Sequence, residues 1–547
     1  KGSLAAQNIN EMPLRPLLSL LLVTRGRSQV PSIVVFFADD LGCGDSGSAH
    51  PTLRTPNLDR LSAEGVRFSQ WYSTFHVCSP SRASLLTGRL PVRVGVSGGF
   101  TGGVFGSAAV GGLPESEVTW ADVLRDKGYR TKAVGKWHLG QRPQYLPTRR
   151  GFDSYFGIPY SVDMGSSAWR RNVPGQTPLP LLENETIIEQ PVDLNTLSQR
   201  YVDAATAFVE DEEESQTTTR PFALYFAFSH VHVPDFVSPR FCNATKRGRF
   251  GDALMEMDWA LGEVTRAYES QNVLTFFSSD NGPWLAQGLA AGSAGPFFEG
   301  KTTTWEGGVR VPGVVHWPGK IAPRVSASLV STADVFSTIL AVAGVPEPAD
   351  RIIDGRDLSP LLFEESDEEV RDCVFVYKGA PNRECPDGAA ECPGLWAVRC
   401  GAFKAHFALQ WSKYSLQGSH AVLGATTDVV FLEEPLLFDL EAAPAEKFPI
   451  ANSSSTYRRA LATIRAATKL HQATLDTSVV DQVALGADPA FALCCDAARN
   501  CTCNPENFDV FVCDPVYPDS GDWPSGEGLG ASFFDEEEVV ATTLPYY

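Results

Sequence analysis

No apolar run in this chain approaches the roughly 20 residues needed to cross a bilayer, so no transmembrane span is expected. The longest near the start, Leu17 to Val23, follows Met12 and Arg15. It reads either as the remnant of a secretion signal or as a disordered leader over residues 1–30. Cations are also scarce: 45 Lys and Arg stand against 65 Asp and Glu, for a formal net charge of -20 and a pI near 4.9. A nucleic-acid partner calls for a basic surface and is therefore not expected. An acidic chain that handles an anionic substrate must gather its few cations at the site. Neither cysteine group, Cys373, Cys385, Cys392 and Cys400 or Cys494, Cys495, Cys501, Cys503 and Cys513, has the C-x-x-C spacing of a zinc site. No internal repeat is visible.

The chain has 547 residues, 43% of them hydrophobic, enough for a large core and more than one domain. Ile33 to Phe37, Phe222 to Phe228 and Val273 to Phe277 are continuous apolar runs, as in strands buried on both faces. Thr55-Pro56 reads as a helix start. Leu254, Met257, Leu261 and Val264 share one helical face, and Val335 to Val342 reads as a buried helix closed by Gly344. This alternation predicts an α/β domain with a large, mostly parallel sheet flanked by helices over residues 31–365. The texture then changes. Leu395 to Phe407 and Leu436 to Leu440 read as strands and Thr456 to His471 as an amphipathic helix, a smaller α+β domain over 366–515 with a cysteine-rich end. Residues 516–547 read as an acidic tail.

Chemistry is concentrated at strand ends, where open α/β sheets place their sites. Ile33 to Phe37 runs into Asp39-Asp40, and Val273 to Ser279 into Asp280-Asn281. Two oxygen-rich ends in one parallel sheet suit a hard cation, with Ca²⁺ favoured over Mg²⁺ because Mg²⁺ tends to retain waters. Four N-x-S/T sequons, at Asn184, Asn243, Asn452 and Asn500, and twelve cysteines agree with passage through an oxidising secretory route, lysosomal or extracellular.

The stretch Cys78-Ser79-Pro80-Ser81-Arg82, followed after three residues by Leu86-Thr87-Gly88-Arg89, resembles the signature of the formylglycine-dependent sulfatases. Gly135-Lys136-Trp137-His138-Leu139-Gly140, Gly157-Ile158-Pro159-Tyr160-Ser161, Ser229-His230-Val231-His232 and Gly300-Lys301-Thr302 extend the resemblance over roughly residues 31 to 515. Within the family it is most similar to the arylsulfatase A and N-acetylgalactosamine-6-sulfatase group. The resemblance implies an alkaline-phosphatase-like fold and hydrolysis of sulfate esters in aryl sulfates, glycolipids or glycans. Cys78 would be oxidised to formylglycine by a formylglycine-generating enzyme, its aldehyde hydrate attacking sulfur and then expelling sulfate. Lys136, Ser161 and Lys301 would hold the sulfate, Arg82 and His138 would contact the hydrate, and His232 would protonate the leaving oxygen. Asp39, Asp40, Asp280, Asn281 and the formylglycine at Cys78 would be the metal ligands. A homo-oligomer is left open.

Departures from the family are Glu299 where relatives carry cysteine, Val162 where they often carry histidine, and the acidic tail. Two alternatives remain at this point: a phosphatase or phosphodiesterase on the same scaffold, which the cysteine and the lack of a second metal set disfavour, and a non-catalytic binder of sulfated glycans. Once Cys78 is converted an odd number of cysteines remains, so one stays unpaired within the chain. Cys43 is the expected one, with Cys242 its rival.

Overall fold

The computed structural model describes Gly2 and residues 30–98, 103–164, 177–211, 220–363, 369–379, 394–411 and 429–503. The leader over 3–29, the tail beyond 503, and Cys385, Cys392 and Cys513 lie outside the described residues.

In chain order the strands are β1 (Ser32–Ala38), β2 (Val66–Phe68), β3 (Trp71–Tyr72), β4 (Arg130–Gly135), β5 (Ser154–Gly157), β6 (Leu181–Glu183), β7 (Thr186–Glu189), β8 (Phe222–Ala227), β9 (Val273–Ser279), β10 (Gly313–His316), β11 (Arg324–Ser326), β12 (Val330–Ser331), β13 (Cys373–Tyr377), β14 (Leu395–Cys400), β15 (Phe403–Leu409) and β16 (Val430–Asp439). Ten of them form one sheet in the order β11-β2-β10-β9-β1-β8-β4-β5-β6-β7. Its centre, β9-β1-β8-β4-β5, is parallel, while β10, β6 and β7 add antiparallel neighbours.

Both faces of this sheet are covered, which is why its central strands read as unbroken apolar runs. Ile33, Val35 and Phe37 point into one core with the helices Cys78–Thr87, Trp120–Asp126 and Asp334–Ala343. Val34, Phe36 and Ala38 point into the other with Pro56–Glu64, Leu194–Glu210 and Arg249–Tyr268. Each large side chain buried this way contributes roughly 1.5–3 kcal/mol. Thr55 precedes its helix as expected, but its hydroxyl makes no cap and instead accepts the Gly47 N–H at 2.6 Å.

A four-stranded antiparallel sheet, β13-β14-β15-β16, follows. The predicted run from Leu395 to Phe407 is two strands, reversed at Gly401, whose φ of 52° suits a residue without Cβ. The helix Ser455–Gln472 lays Tyr457, Ala460, Leu461 and Ile464 on this sheet. The same core takes in Phe75 and Val77, so the segment that leads to Cys78 is packed against the second sheet. Disulfides join Cys373 to Cys400, Cys494 to Cys501 and Cys495 to Cys503. Cys242 is also disulfide-bonded, whereas Cys43 and Cys78 are the free cysteines among the described residues.

Candidate active site

The five parallel central strands end on one edge, and each is followed by polar residues of a single cluster. β9 leads to Asp280 and Asn281, β1 to Asp39 and Asp40, β8 to His232, β4 to Lys136 and His138, and β5 to Ser161. The register that matches Ala38 with Ser279, and Gly135 with Ala227, sets these ends side by side. Gly135 makes that closeness possible: a Cβ there would lie 1.8 Å from the Ala227 carbonyl oxygen. Asp40 and His138 hold φ of 61° and 59°. A left-handed backbone costs a non-glycine residue about 1–2 kcal/mol, strain of the kind that collects at functional sites.

The helix Cys78–Thr87 brings the remaining parts. All ten of its residues are buried, Cys78 opens it, and Arg82 follows one turn later on the same face. Arg82 donates through Nε and Nη2 to Asp280 Oδ2 at 3.1 and 2.8 Å, and through Nη1 to the Lys136 carbonyl at 3.0 Å. Lys136 Nζ donates to Asp39 Oδ2 at 2.5 Å and to Ser161 Oγ at 3.1 Å. Lys301 Nζ lies 2.6 Å from Asp40 Oδ1, and 3.5 Å from Cys78 Sγ. Cys78 Sγ is also 3.5 Å from Asp39 Oδ1. Donor atoms of Asp39, Asp40, Cys78 and His232 all fall within 4.8 Å of one another.

The protonation states follow from burial and charge. Burial pushes Asp39 up, but Lys136, His232 and Arg82 outweigh it and hold the carboxyl below the usual range. Asp280 is raised by burial and then by Asp39. Burial, with Asp280, pushes the Cys78 thiol well above its ordinary value, the opposite of what a thiolate nucleophile needs. His138 is held far below its ordinary value by burial, Lys136 and Arg82. The neutral ring directs Nε2 to the Phe105 carbonyl at 2.9 Å and leaves Nδ1 as a buried acceptor without a partner. His232 Nδ1 sits 2.7 Å from the Val233 carbonyl, and Nε2 3.6 Å from Asp40 Oδ2.

The residues fit a hard cation. Asp39, Asp40, Asp280 and Asn281 converge: Asp280 Oδ1 accepts the Asp40 N–H at 3.2 Å, and Asn281 Nδ2 donates to Asp40 Oδ1 at 2.7 Å. Asn281 Oδ1 is buried with no partner, an acceptor that a cation would satisfy.

The loop carrying Lys301 is pinned from two sides, by the segment before Cys78 and by the second sheet. Thr302, at φ 75°, donates its N–H to the His76 carbonyl at 3.0 Å, and its own carbonyl accepts Lys378 Nζ at 2.5 Å. Lys378, just beyond β13, also bonds Gln410 Oε1. Behind this loop Lys404 Nζ reaches Glu306 Oε1 at 2.9 Å and Glu446 Oε1 at 3.1 Å, all three side chains inaccessible to solvent. Arg310 and Tyr72 complete the shell of Glu306.

All eleven residues singled out in the sequence thus border or bond one another at this edge. Sequence reasoning missed Asp163, Trp284, the Phe105 carbonyl and the Glu306–Lys404–Glu446 group. Asp163 stands two residues past Ser161, Trp284 three past Asn281 and Glu306 five past Lys301, so these three had a nearby signal; the Phe105 carbonyl, Lys404 and Glu446 had none.

A buried cluster of cations and carboxylates, at the open edge of a parallel sheet, suits a hydrolase of charged esters. Comparison with known proteins makes this specific. Residues 31–345 match the sulfatase family model, and residues 369–503 match that of the C-terminal region of aryl-sulfatase. Human arylsulfatase A is 40% identical over 517 residues, covering 90% of this chain and 97% of that protein. Dog N-acetylgalactosamine-6-sulfatase is 36% identical over 516 residues, covering 88% and 94%. A solved sulfatase from Pseudoalteromonas sp. superposes with a TM-score of 0.70 at 26% identity, covering 82% of this chain and 91% of that one. The chain belongs to the sulfatase family and is a sulfuric ester hydrolase with the alkaline-phosphatase-like fold. The family implies a metal site and a formylglycine, and the cluster at Cys78 is where both would lie.

Proposed function

We propose that Cys78 is converted to formylglycine and that its hydrate cleaves the sulfate ester. The observation that carries this reading is Cys78 Sγ, at the start of a buried helix, 3.5 Å from both Asp39 and Lys301, with its thiol held protonated. Formylglycine supplies a geminal diol, one hydroxyl of which displaces the alcohol from sulfur while the other, on losing its proton, re-forms the aldehyde and releases sulfate.

The chain's own residues do the rest. Lys136, Lys301 and Ser161 hold the peripheral sulfate oxygens, where charge gathers in the displacement. Arg82 steadies the diol. His138, neutral and with Nδ1 unpartnered, accepts a hydrogen bond from a diol hydroxyl. His232, with Nδ1–H donating to Val233, turns Nε2 toward the leaving oxygen as its proton donor. Asp39, Asp40, Asp280, Asn281 and the formylglycine oxygen hold one Ca²⁺, with Mg²⁺ the weaker fit for an all-protein oxygen set. The bound cation supplies positive charge against the sulfuryl oxygens.

The catalytic unit is assigned to 31–365 and the smaller unit to 366–515. The substrate is an aryl sulfate, sulfated glycolipid or glycan. A secretory route, lysosomal or extracellular, is supported by the disulfides and by the exposed sequon residues Asn184, Asn243, Asn452 and Asn500.

Mass spectrometry of the Cys78 peptide should find a residue about 18 Da lighter than cysteine. Cys78→Ser, made in a host with the converting enzyme, should lose nearly all turnover of nitrocatechol sulfate; wild-type turnover would remove the mechanism. Elemental analysis should find one calcium, lost in Asp280→Ala together with activity. Full activity of that variant after exhaustive chelation would remove the metal assignment.

A further inference from the structure

The proposed chemistry accounts for the sulfate and leaves the alcohol side of the ester without a contact. Two side chains that it does not use border His232. Trp284 is half-buried, its ring centre 5.6 Å from that of His232 and 4.9 Å from Lys301 Nζ. The Pro283 carbonyl accepts the Lys301 N–H at 2.9 Å, so the indole and the site cation share one braced segment. Asp163, only 9% exposed, has an Oδ1 with no hydrogen-bond partner, 4.0 Å from His232 Nδ1.

A proton donor to the leaving oxygen must stand on the leaving group's side of sulfur. Trp284 beside its ring and Asp163 toward its Nδ1 edge are the unused side chains next to that donor, and so the candidates to meet the body of the alcohol. A buried carboxylate oxygen without a donor is costly, and a ligand hydroxyl would satisfy it. Its charge also repels any second anion beside the ester. A half-exposed indole offers a flat apolar surface to a ring.

We propose that Trp284 and Asp163 form a leaving-group subsite for a six-membered ring with a hydroxyl on the carbon next to the sulfate ester and no second anion beside it. The assignment rests on His232 as the acid of the preceding section.

The test compares catechol monosulfate with phenyl sulfate, which differ in that hydroxyl, by release of sulfate. A methyl hexoside monosulfate and its vicinal disulfate form the second pair, and the better monosulfate tells an aryl from a sugar source. Wild type should favour catechol monosulfate in kcat/KM by about tenfold, and Asp163→Asn should bring the ratio to within about twofold. The vicinal disulfate should fall about tenfold or more below the monosulfate in wild type, a measurement that needs no variant. Trp284→Ala should raise KM for both aryl esters by about tenfold, with Trp284→Phe recovering most of it. An equal wild-type rate on each pair overturns the subsite. So does an Asp163→Asn variant that lowers kcat on both aryl esters while keeping their ratio, which would make Asp163 a positioning residue for His232. So does an unchanged KM in Trp284→Ala. No sulfate released from any of these esters by wild type would instead bring down the underlying reading.

Discussion

Replacing Lys404 by methionine should cost on the order of 3–5 kcal/mol near neutral pH and little in acid. Lys404 is the closest cation to two carboxylates, Glu306 and Glu446, and none of the three side chains meets solvent. Burial pushes the Glu306 carboxyl up, but Lys404 first, then Arg310 and Arg399, hold it down at about 2. Relative to an ordinary glutamate that difference is worth about 3 kcal/mol. A depressed carboxyl contributes stability that is complete above its unfolded value near 4.5 and fades as pH falls through about 2. Methionine fills the volume of the lysine stem but leaves both carboxylates without their main counter-charge. Glu306 then titrates at a higher pH, and its protonation in mild acid removes most of the cost. Thermal midpoints of wild type and variant, measured from pH 4 to pH 8, should differ by several degrees at the upper end and converge at the lower. Lys404→Met with Glu306→Gln should recover at least half of the loss at the upper end. A gap that ignores pH, or a double variant no better than the single, refutes the reasoning.

Asp235 offers the opposite sign. Both of its oxygens are buried without partners, and burial, only partly offset by Arg249 and Arg247, pushes the carboxyl up to about 8. A raised carboxyl favours the fold below its unfolded value and loses that advantage as pH rises through 8, so Asp235→Asn should stabilise by on the order of a few kcal/mol above pH 8 and not at pH 4. Equal shifts in thermal midpoint at both ends would contradict this. Gly135→Ala should lose at least about 3 kcal/mol, because its Cβ would meet the Ala227 carbonyl and its φ is 100°; a midpoint within a degree of wild type would show that the sheet edge yields. Cys43, whose thiol burial pushes up to about 12, should resist alkylation in the native protein and label fully once unfolded without reductant. Peptide mapping that finds it oxidised would contradict the pairing.

The central strands were legible because a strand buried on both faces must be apolar throughout, and Ile33 to Phe37 and Val273 to Phe277 are. The carboxylates that follow them were legible because polar residues after such a run have few places to go except a site edge. The signature around Cys78 and the Lys136 and His232 segments were legible through resemblance. The edge strands β6, β7 and β11 are three or four residues long and partly exposed, too short to show a period. Asp163 and Trp284 belong to loops, so their place beside His232 is set by tertiary folding. Glu306, Lys404 and Glu446 are separated by 98 and 140 residues from their partners, and no local pattern announces a contact at that range.

The double pinning of Thr302 bears on how lesions far from the site would show themselves. Ten of the eleven site residues are seated by the large sheet and the helix that opens at Cys78, but the carbonyl beside Lys301 is gripped by Lys378 from the end of β13. A truncation or misfolding confined to the C-terminal sheet would therefore free the Lys301 loop on one side and uncover Phe75 and Val77 just ahead of Cys78, while the carboxylates at the ends of β1 and β9 stay seated in the large sheet. Changes near Lys378 and Gln410 therefore belong with active-site variants when activity is being mapped.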